Sequence, residues 1–488
     1  MFNRSVINYR LIIKFIGILL MILSGFIIVS SVWSVYYDEP QVTRAFFISG
    51  SITFVVGLIL FFITRSHDQR NIGKKEGYII VTLTWVSISL FGALPFYVSG
   101  AISTYSDSFF ETISGFTTTG ATILEDIESV SKGLLFWRSL TQWLGGMGII
   151  VLTLAILPIL GVGGMQLFIA EAPGTTPNRL HPRIKETAKR LWGIYFLFTL
   201  ALVFLLKLGG MNLFDALCHS FTTMSTGGFS TQNDSIAGYS AFIQYIIILF
   251  MIIAGMNFSL HYFIVKGQFD KFLNNEELRF YLRVIGAFAL LFTVVVFLLY
   301  NIDLESSFRH SLFQVVTIVT TTGFISYDYL QWNDFLWFTL FLLMFTGGCI
   351  GSTAGGIKMI RHLILLKNTT LEFKRLIHPL AIIPVRFNGK TIPKEIIQNF
   401  LAFFLIFVLI FAAGSAAMTV MGLDFKTAVG SVAATLGNIG PGIGGVGPVE
   451  NYAFIPLPGK WFLCFLMLLG RLELFTVLLL FSKAFWRK

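Results

Sequence analysis

Four short segments combine residue types that bring backbone oxygens into the open: TTTGA from Thr117, STGGF from Ser225, TTTGF from Thr320 and NIGPG from Asn438. Their glycines align as Gly120, Gly228, Gly323 and Gly440. Glycine tolerates positive φ, so successive carbonyls can face one way. Threonine is small, accepts extended backbone and adds a hydroxyl oxygen. Such backbone at membrane depth survives only inside protein or along a wet cavity. Four of these loops around one axis would line it with carbonyl oxygens, which can replace the hydration shell of a monovalent cation. No ring of carboxylates accompanies them, which argues against a site for divalent ions. One Thr-Thr-Gly is an ordinary turn; four in register call for a shared role.

The surrounding elements are those of a membrane protein. Of 488 residues, 55% are hydrophobic and 12% charged, with mean hydropathy +0.78. A soluble chain carries about twice that charge. Ten apolar spans are expected, near 11–36, 43–64, 77–99, 134–160, 187–210, 240–265, 280–301, 334–366, 396–421 and 460–485. The first has basic residues before it but is too long for a signal-peptide core, so it reads as a retained span. Stretches 107–119, 213–226, 307–322 and 424–438 are too short to cross and fit re-entrant helices, with Asp107, Asp215, Ser307 and Asp424 as expected N-caps. Each helix would aim its negative C-terminal end at a Thr/Gly loop.

The expected fold class is therefore an all-α polytopic membrane protein. Four pseudo-symmetric repeats of span, pore helix, filter and span surround a central ion pore, and an N-terminal two-span hairpin stands apart. The expected divisions are 1–70 for the hairpin and 71–170, 171–275, 276–385 and 386–488 for repeats one to four. With both termini on the cytoplasmic side, that side holds 27 of the 35 Lys and Arg, a positive-inside pattern. The opposite loops carry Asp38, Glu39, Glu125, Asp126, Glu128, Asp234, Asp328, Asp334 and Glu450, an acidic face that would concentrate cations.

Two features lie below the loops. TGGCIGSTAGG (346–356) interrupts an apolar stretch with five glycines, a poor helix interior. Close helix packing through small residues is one explanation; an unwound intramembrane gate under the filter is the other. Repeat one has only GGMG (145–148) at the corresponding place. Arg471 sits about 15 Å into the last span, where a cation must face protein or water. It is expected either to hold carbonyls structurally or to bond the gating segment and place a positive barrier in the ion path. Lys358 and Arg361 flank that segment and could snorkel to the surface.

The four loops resemble the filter segments of the Trk/Ktr/HKT superfamily of potassium transporters. FWRSLTQWLGGMGIIVLTLAILPILGVGGMQL (136–167), GGCIGSTAGGIKMIRHLILL (347–366) and LLGRLELFTVLLLF (468–481) are similar to Trk-type membrane subunits. The resemblance covers essentially the whole chain. It implies uptake of K+, the transported ion and the only ligand expected, with no nucleotide bound by this chain. Backbone oxygens of Thr118, Thr119, Gly120, Thr226, Gly227, Gly228, Thr321, Thr322, Gly323, Asn438, Ile439 and Gly440 would face the ion. Glycine at all four aligned positions goes with potassium over sodium. The gating set would be Gly347, Gly348, Gly351, Ser352, Thr353, Gly355, Gly356, Lys358 and Arg471. The family further implies a homodimer in the bacterial plasma membrane and a cytosolic nucleotide-binding regulatory partner, with the basic segments 161–191 and 358–395 as its docking surface. The fourth loop departs from the pattern at Asn438 and Pro441. A sodium-coupled or poorly selective cation transporter remains the alternative.

A membrane enzyme is the rival class. The seven histidines, His67, His181, His219, His261, His310, His362 and His378, lack metal-ligand spacing, and GVGGMQ at Gly161 follows no strand, so it is not a nucleotide fingerprint. No buried carboxylate stands out as a proton relay, which favours a gated channel over proton coupling.

Overall fold

The computed structural model describes residues 7–64, 73–151 and 180–487. The far end of the expected span 134–160, segment 161–179 of the expected docking surface, His67 and the GVGGMQ stretch lie outside them. Helices dominate, and the described strands form one two-residue ribbon, Arg386–Phe387 with Lys390–Thr391. Asn388 and Gly389, both at positive φ, make its tight turn.

The N-terminal hairpin pairs Tyr9–Tyr36 with Pro40–Ile63. The two helices touch where Gly17 and Gly57 cross, since a Cβ on either would lie 2.8 Å from the other's carbonyl oxygen. Glu39, expected on the acidic face, instead accepts from the backbone N–H groups of Lys132 (2.7 Å) and Gly133 (3.0 Å). It thus caps the helix Lys132–Val151 and docks the hairpin on repeat one.

Four repeats follow. Their first helices are Lys74–Gly92 (continued by Leu94–Val98), Leu180–Leu208, Glu276–Tyr300 and Lys394–Val420. Their pore helices are Tyr105–Phe116, Leu213–Met224, Leu304–Val319 and Phe425–Gly437. Six described helices are long and apolar enough to cross a membrane, and two bent pairs raise this to eight at most. The ten sequence spans all have helical counterparts, but three are broken, two of them where continuity was expected and the third at the glycine-rich 346–356. Ala241–Gly255 bends by 100° into Phe258–Val265, and Leu457–Arg471 by 117° into Leu474–Phe481. In repeat three, Asp334–Leu343 and Met359–Ile377 flank a non-helical loop. Periodicity could not show these bends, because both arms stay apolar.

The pore-helix caps also differ from expectation. The caps are Thr104, Asn212, Asp303 and Asp424. Asp107 and Asp215 sit three residues inside, where their backbone N–H groups donate to the cap side chains, and their negative charge suits a helix N-terminus. Ser307 lies four residues after the cap Asp303 and is not a cap itself.

The GGMG of repeat one is a packing device. A Cβ at Gly145 would fall 1.9 Å from the Phe116 carbonyl oxygen, at the end of the first pore helix. Gly145→Ala therefore forces backbone apart, and overpacking of this kind costs about 1–3 kcal/mol. The expected outcome is a melting temperature lowered by several degrees in detergent.

Candidate ion pathway and gate

Each pore helix ends in the same turn. The N–H of Thr119 donates to Ser114 O (2.9 Å) and that of Thr118 to Gly115 O (2.9 Å). The equivalents are Gly227 to Thr222 (2.8 Å) with Thr226 to Thr223 (3.0 Å), Thr322 to Thr317 (2.8 Å) with Thr321 to Ile318 (3.0 Å), and Ile439 to Ala434 (2.9 Å) with Asn438 to Thr435 (3.3 Å). These are Schellman ends, whose penultimate residue is left-handed and is usually glycine. Here it is Thr118 (φ 52°), Thr226 (53°), Thr321 (57°) and Asn438 (53°). A β-branched residue with that φ is a genuine outlier, and three threonines hold it at matched positions. Asparagine tolerates it better, which gives the fourth loop's departure a conformational logic.

The glycines then close a ring. A Cβ at Gly120 would lie 2.2 Å from Gly227 O, one at Gly228 1.9 Å from Thr322 O, one at Gly323 2.9 Å from Gly440 N and one at Gly440 2.7 Å from Gly120 O. Each loop thus abuts the next in chain order, and the fourth meets the first. The segments after the filter interlock the same way. Arg138 donates to Ser230 O (2.9 Å), Ile236 N to Ile325 O (3.0 Å), Tyr329 Oη to Gly442 O (2.7 Å) and Tyr452 N to Thr122 O (2.8 Å). All four glycines line one cavity of about 140 Å3 at the mouth, with Glu125 and Glu450 among its walls. Asp126 near this mouth titrates below the usual carboxylate range, chiefly because the Asn233 side chain hydrogen-bonds it.

Among the described residues, no protein group donates to the carbonyl oxygens of Thr118, Thr119, Thr226, Thr321, Thr322, Asn438 or Ile439, although all seven residues are buried. Buried carbonyls are nearly always paired. The threonine hydroxyls behave differently from expectation. Thr119 Oγ1 bonds Thr117 Oγ1 (2.8 Å) and Asn438 Nδ2 (3.0 Å), Thr322 Oγ1 bonds Thr320 Oγ1 (2.7 Å), and Thr321 Oγ1 accepts from Gly355 N (2.6 Å). They brace the loops from behind, and only Thr118 Oγ1 among the filter hydroxyls lacks a protein partner.

Residues that the sequence did not single out supply the outer brace. Nine positions before the aligned glycines stand Glu111, His219 and Gln314. Glu111 accepts from Ile123 N (2.9 Å) and Thr122 Oγ1 (3.0 Å), His219 Nε2 bonds Ser230 Oγ (3.1 Å), and Gln314 Nε2 donates to Tyr327 O (2.9 Å). Glu111 and Arg138 form a buried ion pair (2.6 Å), and Arg138 stacks 3.5 Å from the Phe229 ring centroid. Gln142 clamps the second loop, donating to Gly227 O (2.7 Å) and accepting from Phe229 N (3.1 Å). Two carboxylates that the sequence did not mark are buried, Glu111 and Glu277, at 1% and 2% exposed. Spacing hid them, because Glu111 meets its arginine 27 residues away on another helix.

The glycine-rich segment lies against these loops. Gly355 N bonds the filter residue Thr321, and Thr353 Oγ1 donates to Met224 O (3.0 Å), at the end of the second pore helix. A Cβ at Gly355 would lie 2.7 Å from Gly437 O. Gly347 packs still more tightly, 2.2 Å from an added Cβ to Gly355 O, and Gly351 and Gly356 are left-handed. Gly348 O accepts from Met359 N (3.1 Å), and Ser352 Oγ bonds Cys349 O (2.6 Å). Arg471, 3% exposed, donates to Thr353 O (2.7 Å) and contacts Gly145 O (3.5 Å). Lys358 does not snorkel; it is buried, and its ammonium donates to Ala354 O. Arg361 pairs with Glu473, which sits at φ 61° in the 117° bend. A small enclosed cavity touches Gly355, Lys358, Arg471 and Glu473.

A family model described as a cation transport protein, TrkH, matches residues 42–488. The chain belongs to the TrkH family. It is 40% identical over 487 residues to the Trk system potassium uptake protein TrkH of Salmonella typhimurium, covering 99% of this chain and 100% of the relative. It is 34% identical over 484 residues to Trk system potassium uptake protein TrkG of Escherichia coli, covering 98% and 99%. The crystal structure of the potassium transporter TrkH from Vibrio parahaemolyticus superposes with TM-score 0.90 at 35% identity, covering 98% of this chain and 100% of that one. The fold is thus that of the TrkH family, and the chain is a membrane transporter. Among the described residues, no group of three His, Cys, Asp or Glu could hold a metal ion.

Arg138→Met leaves Glu111 buried without its partner, which costs about 3–5 kcal/mol. The variant is expected to melt at least several degrees lower, and Arg138→Met combined with Glu111→Gln to recover part of the loss in the same melting assay.

Proposed function

We propose that this chain is the pore-forming subunit of a Trk-type potassium uptake system. The relatives' names give the substrate. The observation that carries the reading is local: four left-handed turns in register present buried carbonyls that no protein group among the described residues satisfies. A dehydrated K+ supplies the missing partner, held by carbonyls from Thr118, Thr119, Thr226, Thr321, Thr322, Asn438 and Ile439 beside Gly120, Gly228, Gly323 and Gly440, while Gly227 O, already bonded by Gln142, can add only its second lone pair. The negative ends of the pore helices add to the attraction.

The segment holding Gly347, Gly348, Gly351, Ser352, Thr353, Gly355 and Gly356 acts as the gate, with Lys358 and Arg471 as its positive latch. The repeats divide near 71–170, 171–275, 276–385 and 386–488, after the hairpin 1–70. Both termini face the cytoplasm of a bacterial inner membrane, where the basic segments receive a nucleotide-binding regulatory partner. The subunit works as a homodimer. The alternative of a sodium-coupled or poorly selective cation transporter draws on one asymmetry: of the four aligned glycines, Gly440 alone is outside the left-handed region, and Tyr452 Oη takes its carbonyl (3.0 Å).

Flux into proteoliposomes tests the reading. Wild type should prefer K+ to Na+. Gly120→Ser presses a side chain on Gly227 O and is expected to lower that ratio about tenfold, each 1.4 kcal/mol being one decade; an untouched ratio contradicts the filter assignment. Arg471→Ala should raise resting flux, because it removes both the barrier charge and the bond to Thr353. A variant that loses folding, or keeps wild-type resting flux, would assign Arg471 a structural role alone.

A further inference from the structure

We propose that Glu277 is a positioning residue that fastens the gate shut, an inference that rests on the gate reading of 346–356. Glu277 lies in the first turn of the helix Glu276–Tyr300 and is buried. One of its carboxylate oxygens, Oε1, accepts two backbone bonds, one from within the gate and one from the helix that follows it, Ile350 N at 2.7 Å and Ile360 N at 3.1 Å. The first belongs to the unwound loop. The second is an orphan N–H in the first turn of Met359–Ile377, which no intrahelical carbonyl can satisfy. Burying a carboxylate is costly unless such bonds repay it. A single atom therefore fixes the distance between the loop and the helix that follows it.

The same turn reaches the cytoplasmic ribbon. Glu276 pairs with Lys367 on the post-gate helix and accepts from Asn388 N (3.1 Å), while its own N–H donates to Asn388 Oδ1 (2.9 Å). Lys367 also donates to Arg386 O (2.9 Å). Shifting the ribbon or the post-gate helix against Glu276–Tyr300 strains both Glu277 bonds together. Glu277 is thus placed to convert movement at the ribbon into release of Ile350 and its loop.

The test compares K+ flux through reconstituted wild type, Glu277→Ala, Glu277→Gln and a Gly351–Gly355 deletion, without any activating partner. Cysteine modification located by mass spectrometry reports loop release, because Cys349 adjoins Ile350 and is fully buried. Glu277→Ala is expected to raise resting flux about tenfold, two bonds to a charged acceptor being lost, and to expose Cys349. Glu277→Gln keeps an acceptor oxygen and should stay close to wild type in both readouts. A folded Glu277→Ala with wild-type flux and a protected Cys349 overturns the proposal; if the deletion raises flux in the same series, the gate reading stands without it. Labelling of Cys349 in Glu277→Ala while the deletion leaves flux unchanged supports the fastening and overturns the gate reading. If Glu277→Ala does not accumulate, Glu277→Asp takes its place, its carboxylate one carbon too short to hold both N–H groups, under the same criteria.

Discussion

Every backbone N–H and C=O carried to membrane depth needs a partner, and the rest of this structure follows from how that need is met. Helices meet it internally. The four filter turns meet it for their N–H groups through the Schellman bonds and leave a set of carbonyls over. The left-handed threonines are the cost of that arrangement. Non-glycine residues held there store roughly 1–3 kcal/mol each and persist only when the surroundings dictate them. The surroundings do so here: Thr117, Thr320 and Asn438 hold the filter hydroxyls from behind, Gln142 grips the second loop, and the glycine ring allows no added carbon at its contacts.

The glycine-rich loop proposed as the gate obeys the same constraint by different means. Its unwound backbone is paired with the broken ends of neighbouring helices. Cys349 N donates to Gly255 O (2.8 Å), and Phe258 N to Gly351 O (3.1 Å), so the 100° bend in repeat two exposes the groups that the loop needs. Arg471 meets Thr353 O where the helix of repeat four ends. The breaks in repeats two, three and four are therefore mutual. Repeat one keeps its helix unbroken through Gly145 and packs it on Phe116 instead. Around the glycine-rich loop, repeat one thus has a second helix continuous over its described residues, while the other three are broken.

Much of this was legible in the residues. Four Thr/Gly motifs at matched places announced the repeat, and apolar length announced the pore helices and most spans. The glycine content of 346–356 announced the unwound segment, and the depth of Arg471 its interior position. What stayed hidden depends on distance in sequence. Glu111 meets Arg138 within repeat one, Glu277 meets Ile350 and Ile360 within repeat three, and Arg361 meets Glu473 across repeats, all at separations where no local spacing reports a contact. The caps slipped because Asp107 and Asp215 look like caps while Thr104 and Asn212 perform the bonding. The bends at 256–257 and 472–473 were hidden because no proline or glycine run marks them.

In the proposed pathway the four unpaired carbonyl sets together hold a monovalent cation. Anomalous diffraction from crystals grown in a rubidium or thallium salt tests it most directly. The account predicts an anomalous peak on the axis between the carbonyls of Thr118, Thr226, Thr321 and Asn438, displaced in competition with K+. An axis free of such a peak, with the ion bound elsewhere in a folded protein, would contradict it.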